Sequence, residues 1–393
     1  MPEGVSVCES SVSTTDRDFR WPAGIVLQSS VYGISSVAQE VRTLALAFGT
    51  NSFPVSLVPA DSADDSASAV SFPHRQQLEQ LAHPKLDLAR SILYYSAEPT
   101  AWNLDYHGHR RIGRAAFWTD RVPARWVESC NAMDEIWVPS CFHREAFAAS
   151  GVSAERIVVF PTGVDSKLFR PGCSPLPIPH RRGFTFLAIT DPHDRKGMDL
   201  LLRAYLQEFK TDDNVSLLLK VTSQEDRSID LEAELVFFIE KEMGLTLEDS
   251  PVILLLDDCL PYSAMPSLYA AADAFVMPVR GEAWGRTLLE ALACELPVIT
   301  TRWGSAPELL NDANAYLIES DGVSPVLARA GFLAGHRWAN PSVDHLRQVL
   351  RTISSHPEEA RNRARNGRAE VVATRDWNAL LPVWRQHCQG LLE

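Results

Sequence analysis

The residues best placed for chemistry are two glutamates eight positions apart, Glu282 and Glu290, in the segment GEAWGRTLLEALACELPV (Gly281–Val298). Glu282 follows the apolar run AFVMPV in a glycine-flanked loop. A helix is expected to start near Gly285 or Arg286 and to carry Glu290 in its second turn. The unbonded N–H groups of that helix start, at Gly285, Arg286, Thr287 and Leu288, favour a phosphate. Two carboxylates beside a phosphate repel it unless each has hydroxyl groups to hold. A sugar and a ribose supply them, and a carboxylate accepting from a vicinal diol is a good orienting contact. Glutamates at this spacing are common, so context carries the reading.

A basic pair, Arg195–Lys196, precedes a second helical stretch in RKGMDLLLRAYLQEF. Alone it reads as an exposed pair. Beside a carboxylate–phosphate arrangement it reads as counter-charge for a diphosphate. His107 and His109 form an HxH with Asp105 close by. Two imidazoles can converge on a cation, but no third ligand follows at a recognisable spacing. A loop lining a cleft is the expectation there, together with SAEPTAW over 96–102.

These groups need a scaffold that brings loops together, and the pattern of apolar runs supplies one. In the second half, strands are expected at 184–190, 215–221, 252–258, 274–279, 296–301 and 315–319, alternating with helical stretches. The runs are continuously apolar, the mark of parallel strands covered on both faces. In the first half, strands are expected at 24–30, 91–98, 114–120 (RAAFWTD), 134–140 and 156–162, with a helix in ARWVESCNAM. Gly33 lies in the turn after the first strand, where a backbone can approach a ligand closely; its plainer reading is an ordinary turn. The stretch from 161 to 183 holds five prolines and three glycines, a composition of domain boundaries. Residues 341–393 are helical by periodicity.

The bulk numbers agree. A chain of 393 residues is too long for one ordinary core, so two domains are expected. The net charge of −13 argues against a nucleic-acid binder. Seven cysteines without a CxxC form neither a disulfide framework nor a zinc site, which points to a reducing cytoplasm. Residues 1–20 read as a polar disordered leader, and no stretch is apolar enough to span a membrane.

Gly281–Val298 resembles the E-x7-E signature of retaining GT-B glycosyltransferases of the family 4 type. DEIWVPSCFHREAFAASGVSAERIVVFPTGVDSKLFRPG, RKGMDLLLRAYLQEF and LYAAADAFVMPVRGEAWG resemble further segments of that family, so the likeness runs over about residues 24–375. It implies two Rossmann-like domains facing across a cleft: an acceptor domain over 21–170, a nucleotide-sugar domain over 171–375, and a last helix, 376–393, crossing back to the first. It implies that Glu282 contacts the donor sugar, Glu290 the ribose hydroxyls, Lys196 and Arg195 the diphosphate, and Gly33 the donor from the first-domain side. Two departures stand out. An arginine common ahead of the RKG lysine is replaced by Ile189–Thr190, leaving Arg286 or Arg195 to supply its charge. The first-domain histidine near the reacting sugar has Thr119 or Asp120 in its neighbourhood. Asp120 is the catalytic candidate, with a helix-capping aspartate as its plainer reading.

The expected function is therefore transfer of a sugar from a nucleotide diphosphate to an acceptor hydroxyl, with retention and without a metal cofactor. The alternatives are a glycoside phosphorylase or sugar-phosphate synthase on the same fold, a GT-B epimerase, or a non-catalytic nucleotide-sugar-binding subunit. A soluble acceptor such as an aminocyclitol is favoured slightly by the acidic balance, and a glycan precursor is the other expectation.

Overall fold

The computed structural model describes residues 21–50, 53–61, 70–83, 86–105, 108–221, 230–258, 260–326 and 333–393. The leader expected over 1–20, and His107 of the HxH pair, lie outside the described residues.

Six parallel strands form the first sheet: β1 (Ile25–Ser29), β2 (Val55–Pro59), β3 (Ile92–Ser96), β4 (Arg110–Arg114), β5 (Glu135–Val138) and β6 (Ile157–Val159). Their order is β2-β1-β3-β4-β5-β6. Helices α1 (Ser36–Thr50), α2 (Phe72–Leu81), α3 (Ala124–Asn131) and α4 (Cys141–Ala149) flank it. A second parallel sheet follows, from β7 (Phe184–Thr190), β8 (Val215–Val221), β9 (Val252–Leu256), β10 (Ala274–Met277), β11 (Val298–Thr301) and β12 (Tyr316–Ile318), in the order β12-β11-β10-β7-β8-β9. It carries α5 (Met198–Glu208), α6 (Leu231–Phe237), α7 (Met265–Ala270) and α8 (Arg286–Ala293). Every residue of β8 is buried, which is why its sequence, VSLLLKV, shows no alternation. Two doubly wound sheets of this kind make the GT-B fold.

One expected strand is misplaced. RAAFWTD is not a strand; the strand is the segment before it, Arg110–Arg114. RRIGR looks too polar for a central strand because it carries three arginines, but the last of them is buried in an ion pair. Arg114 Nε lies 2.8 Å from Oε1 of Glu40 on α1, and its Nη1 donates to the Phe160 carbonyl. Gly113 is small because Trp102 packs on it, where a Cβ would overlap the indole. Residues 115–120 then leave the sheet edge toward the other domain.

The connection that follows β12 holds a further element that periodicity does not announce. Strands β13 (Ser320–Pro325) and β14 (Arg337–Pro341) pair as an antiparallel hairpin. This hairpin reaches the first domain: Leu333 and Val326 pack with Phe117, Trp126 and Trp102.

The tail forms α9 (Val343–Ser355), α10 (Pro357–Thr374) and α11 (Trp377–Leu392). Helix α11 crosses back. Its Trp377, Leu380, Trp384 and Cys388 join the core of the first sheet, with Trp384 edge-on to Trp137 at 5.2 Å. The crossing is stitched to the interdomain linker: Val164 N–H donates to the Arg375 carbonyl and Trp377 N–H to the Val164 carbonyl. The Asp376 carboxylate caps α11 at Asn378 and also accepts from the Ser166 N–H.

Candidate active site

Topology explains why residues 86 positions apart meet. In the second sheet the chain winds from β7 to β9, then returns to the other side of β7 with β10. Loops after β7 and β10 therefore diverge at a switch point, where open α/β sheets bind ligands. The β7 loop carries Arg195 and Lys196 in a short 3₁₀ turn, and the β10 loop carries Glu282. Gly197 ends that turn at φ 68°, with its Cα so close to the Pro278 carbonyl that a Cβ would overlap it. The two loops are tied further by Arg280 and Gly281, whose N–H groups donate to the Arg195 carbonyl.

Glu282 is the anion of the cluster. Its Oε2 lies 2.6 Å from Lys196 Nζ and 3.3 Å from Arg195 Nη1, and its Oε1 accepts from the Ala283 N–H. Burial alone would raise this carboxyl. The charges of Lys196 and Arg195 outweigh that and hold it down at about 2. Arg195 is shared with Asp191 through Nη2 at 2.9 Å. Thr190, at the position of the missing arginine, donates its hydroxyl to the Asp191 carbonyl.

Glu290 is buried to 1% exposure and held differently. Tyr269 donates to its Oε2 at 2.8 Å and Tyr262 to its Oε1 at 3.3 Å, with Arg286 Nε 3.4 Å away. Burial raises its pKa, and Arg286 with the two tyrosines only partly offsets that. The tyrosines, in PYSAMPSLYAAA, are residues that the sequence reading missed. Nothing in their spacing ties them to a glutamate on the next helix.

At the start of α8, Gly285 takes φ 79° as the N-cap. The N–H groups of Leu288 and Leu289 return to the Gly285 carbonyl. Those of Arg286 and Thr287 have no hydrogen-bond partner among the described residues. So of the four N–H groups expected to face a phosphate, Leu288 is engaged within the turn, and its side chain is buried.

The first domain forms the opposite wall. Its switch point lies between β1 and β3, so the turn holding Gly33 and the segment after Ser96 open there. Gly33 is not free to approach a ligand with its N–H. The Asp61 carboxylate accepts from Val31, Tyr32 and Gly33 N–H at 2.7, 3.0 and 2.9 Å. In the segment 96–102, Glu98 accepts from Arg125 and from the Trp126 indole.

Asp120, the candidate catalytic residue, has another partner. Its Oδ1 accepts from the Arg337 N–H at 2.7 Å, and its own N–H donates to the Arg337 carbonyl. It therefore pins the hairpin and does not cap α3. Thr119 does the same: its hydroxyl donates to the Arg121 carbonyl and so accepts from His336 Nδ1 at 2.8 Å. Trp118 lies between Trp338 and His193, at 5.7 and 5.3 Å. Next to it, Gly281 presses on the Trp118 carbonyl, where a Cβ would overlap. On the far side of the hairpin, the Ala339 N–H donates to the Arg280 carbonyl. The signature loop is thus clasped to the first domain immediately before Glu282, and Trp284 Nε1 clasps it after, to the Thr162 carbonyl at 3.1 Å.

One first-domain histidine does lie within the field of Glu282. His143 on α4 is fully buried and its Nδ1 is 2.6 Å from Ser140 Oγ. Burial lowers its pKa to about 3, while Glu282 pulls the other way. The α4 start is also bridged: Glu308 of the second domain accepts from the N–H groups of Cys141 and Phe142. Among the described residues no group of three or more His, Cys, Asp and Glu side chains is placed to hold a metal ion. Likewise, no helix among them is long and apolar enough to cross a membrane.

Residues 182–330 match the family described as glycosyl transferases group 1. The chain is 28% identical over 255 residues to D-inositol 3-phosphate glycosyltransferase 1 of Catenulispora acidiphila, covering 63% of this chain and 55% of that protein. It is 26% identical over 234 residues to a GDP-mannose-dependent monoacylated alpha-(1-6)-phosphatidylinositol monomannoside mannosyltransferase of Corynebacterium glutamicum, covering 56% and 52%. The chain thus spans about half the length of these curated relatives. Among solved structures, sucrose-phosphate synthase from Thermosynechococcus elongatus superposes with a TM-score of 0.67 at 18% identity, covering 94% of this chain and 99% of that one. Anabaena HepE in complex with UDP-glucose superposes at 0.63 and 16%, with the same coverage. These likenesses show the shared GT-B fold.

Proposed function

Starting from a GT-B chain whose second domain is of the glycosyl transferases group 1 type, we propose that it moves a sugar from a nucleotide diphosphate sugar to an acceptor hydroxyl, with retention and without a metal. The observation that carries this reading is the convergence of Glu282, Lys196 and Arg195 at the switch point, beside the free amides of α8. A departing diphosphate gains charge as the sugar–oxygen bond breaks. Lys196, Arg195 and the Arg286 and Thr287 N–H groups are the donors for that charge, and they need little rearrangement to receive it. Glu282 orients the sugar hydroxyls, and Glu290 takes the ribose diol in exchange for one of its tyrosine bonds.

The acceptor proton goes to the leaving diphosphate oxygen on the face where the new bond forms. This requires no protein base, and it fits a site in which Asp120 is engaged with Arg337. The relatives' names, an inositol phosphate glycosyltransferase and a GDP-mannose-dependent enzyme, support sugar transfer from a nucleotide donor.

The test is donor turnover. UDP-, GDP- and dTDP-sugars are incubated with the full chain, with and without a chelator, and released nucleotide is measured. Release from at least one donor, unchanged by chelation, is expected, and the glycoside formed should keep the anomeric configuration of its donor. No turnover of any nucleotide sugar, with phosphate-dependent cleavage of a glycoside instead, would overturn the proposal.

A further inference from the structure

The turn after β1 is built as an anion site that a side chain of the same protein fills. Arg42 on α1 is 8% exposed, and its Nη1 donates to the carbonyls of Val31 and Gly33 at 2.5 and 2.6 Å. With the carbonyls held on that side, the N–H groups of residues 31–33 converge on the other. Successive amides aimed at one point make a nest for an anion. Its occupant is the Asp61 carboxylate, delivered from the end of β2, whose neighbour Ala60 donates its N–H to the Ser29 carbonyl.

The surroundings are cationic on both sides of the cleft. Burial lowers the Arg42 pKa to about 10, and the next contribution is the charge of Arg286 from the second domain. Arg286 has a buried Nη1 without a hydrogen-bond partner among the described residues. Three converging amides, with the positive charge of Arg286 brought from the second domain, are what a phosphate group seeks. Asp61 is what stands in its place.

Resting on the glycosyltransferase reading, we infer that Asp61 is a specificity residue: its carboxylate fills the amide nest of the first βα turn, so that this end of the cleft takes a neutral, hydroxyl-bearing acceptor and turns away a phosphomonoester. An incoming phosphate must displace three N–H hydrogen bonds to the carboxylate and approach its negative charge. A neutral diol meets neither obstacle, and Asp61 retains lone pairs to accept from it.

The probe is inorganic phosphate, titrated calorimetrically into the wild-type chain, Asp61→Ala and Asp61→Asn at constant ionic strength, with crystals of each soaked in the same salt. Asp61→Ala is expected to bind phosphate on the amides of residues 31–33 at least tenfold more tightly than the wild type does there. The wild-type crystal is expected to keep the carboxylate in the nest. Should Asp61→Ala fail to fold, Asp61→Asn, which keeps the shape and loses the charge, makes the same comparison. Phosphate in the wild-type nest with Asp61 turned out, or an empty nest in the variants with unchanged affinity, would overturn the inference. Neither readout needs turnover, so failure of the donor assay would strike the enzymatic reading and leave this result standing.

Discussion

Lys196 Nζ and Glu282 Oε2 are 2.6 Å apart, an ion pair between the two loops of the switch point. On the proposed reading, the pair brings the cation for a leaving diphosphate and the carboxylate for a sugar into one contact. Lys196→Ala is expected to lower turnover of a nucleotide sugar by a factor on the order of 100 or more, the usual cost of losing a charge-stabilising donor. Glu282→Gln is expected to abolish turnover while leaving nucleotide affinity within several-fold of the wild type. Steady-state kinetics and calorimetry with the free nucleotide check both; wild-type turnover in Glu282→Gln would remove Glu282 from the reaction.

Buried His143 sets a pH dependence whose sign can be worked out. Its folded pKa is about 3, well below the unfolded value near 6.5. Between those values the unfolded chain binds the extra proton, so stability rises with pH there and is lost as pH falls through that window. One such proton gives a slope of up to about 1.4 kcal/mol per pH unit. Glu282, held down at about 2, adds loss in the same direction only below about pH 4.5. Urea midpoints at pH 7, 6 and 5 should fall steeply for the wild type and less so for His143→Gln. Equal slopes would show that His143 does not titrate on unfolding.

The hairpin clasp is separable from chemistry. His336 hydrogen-bonds Thr119, and Arg337 bonds Asp120 through its main chain. Asp120→Ala removes one of these bonds at the rim, with an expected cost of about 1–2 kcal/mol. Amide exchange over 337–341 should quicken in the variant, while the pH profile of turnover keeps its shape. A changed profile would restore Asp120 as an acid or base.

Gly281 tests how tightly the domains touch. A Cβ there would overlap the Trp118 carbonyl from the other domain. Gly281→Ala is therefore expected to part the domains beside Glu282. It should lower turnover at least tenfold with little change in the hydrogen-exchange protection of β7, β8 and β10. Wild-type activity in Gly281→Ala would mean the contact opens during turnover.

The sequence showed the second sheet almost residue by residue, because strands such as Phe184–Thr190 and Val215–Val221 are mostly apolar and do not alternate. It misled at RAAFWTD, whose aromatics pack under a hairpin and not in a sheet, and at RRIGR, whose last arginine, Arg114, is buried against Glu40. Arg195, Lys196 and Glu282 were each legible in motifs, and their pairing with one another was not. The partners that tune it were not. Tyr262 and Tyr269 reach Glu290, and Asp61 reaches the Gly33 turn, by three-dimensional routes that leave no spacing in the chain.

Helix α11 has a consequence for the order of assembly. Trp377 and Trp384 complete the apolar interior around β1 and Trp137. On the ribosome, these residues emerge only after all of the second domain. The first half to be synthesised is therefore the last to be finished, and until then it exposes the seat of two tryptophans. Truncation before residue 376 should accordingly unravel the beginning of the protein, about 350 residues away in sequence from Ile25.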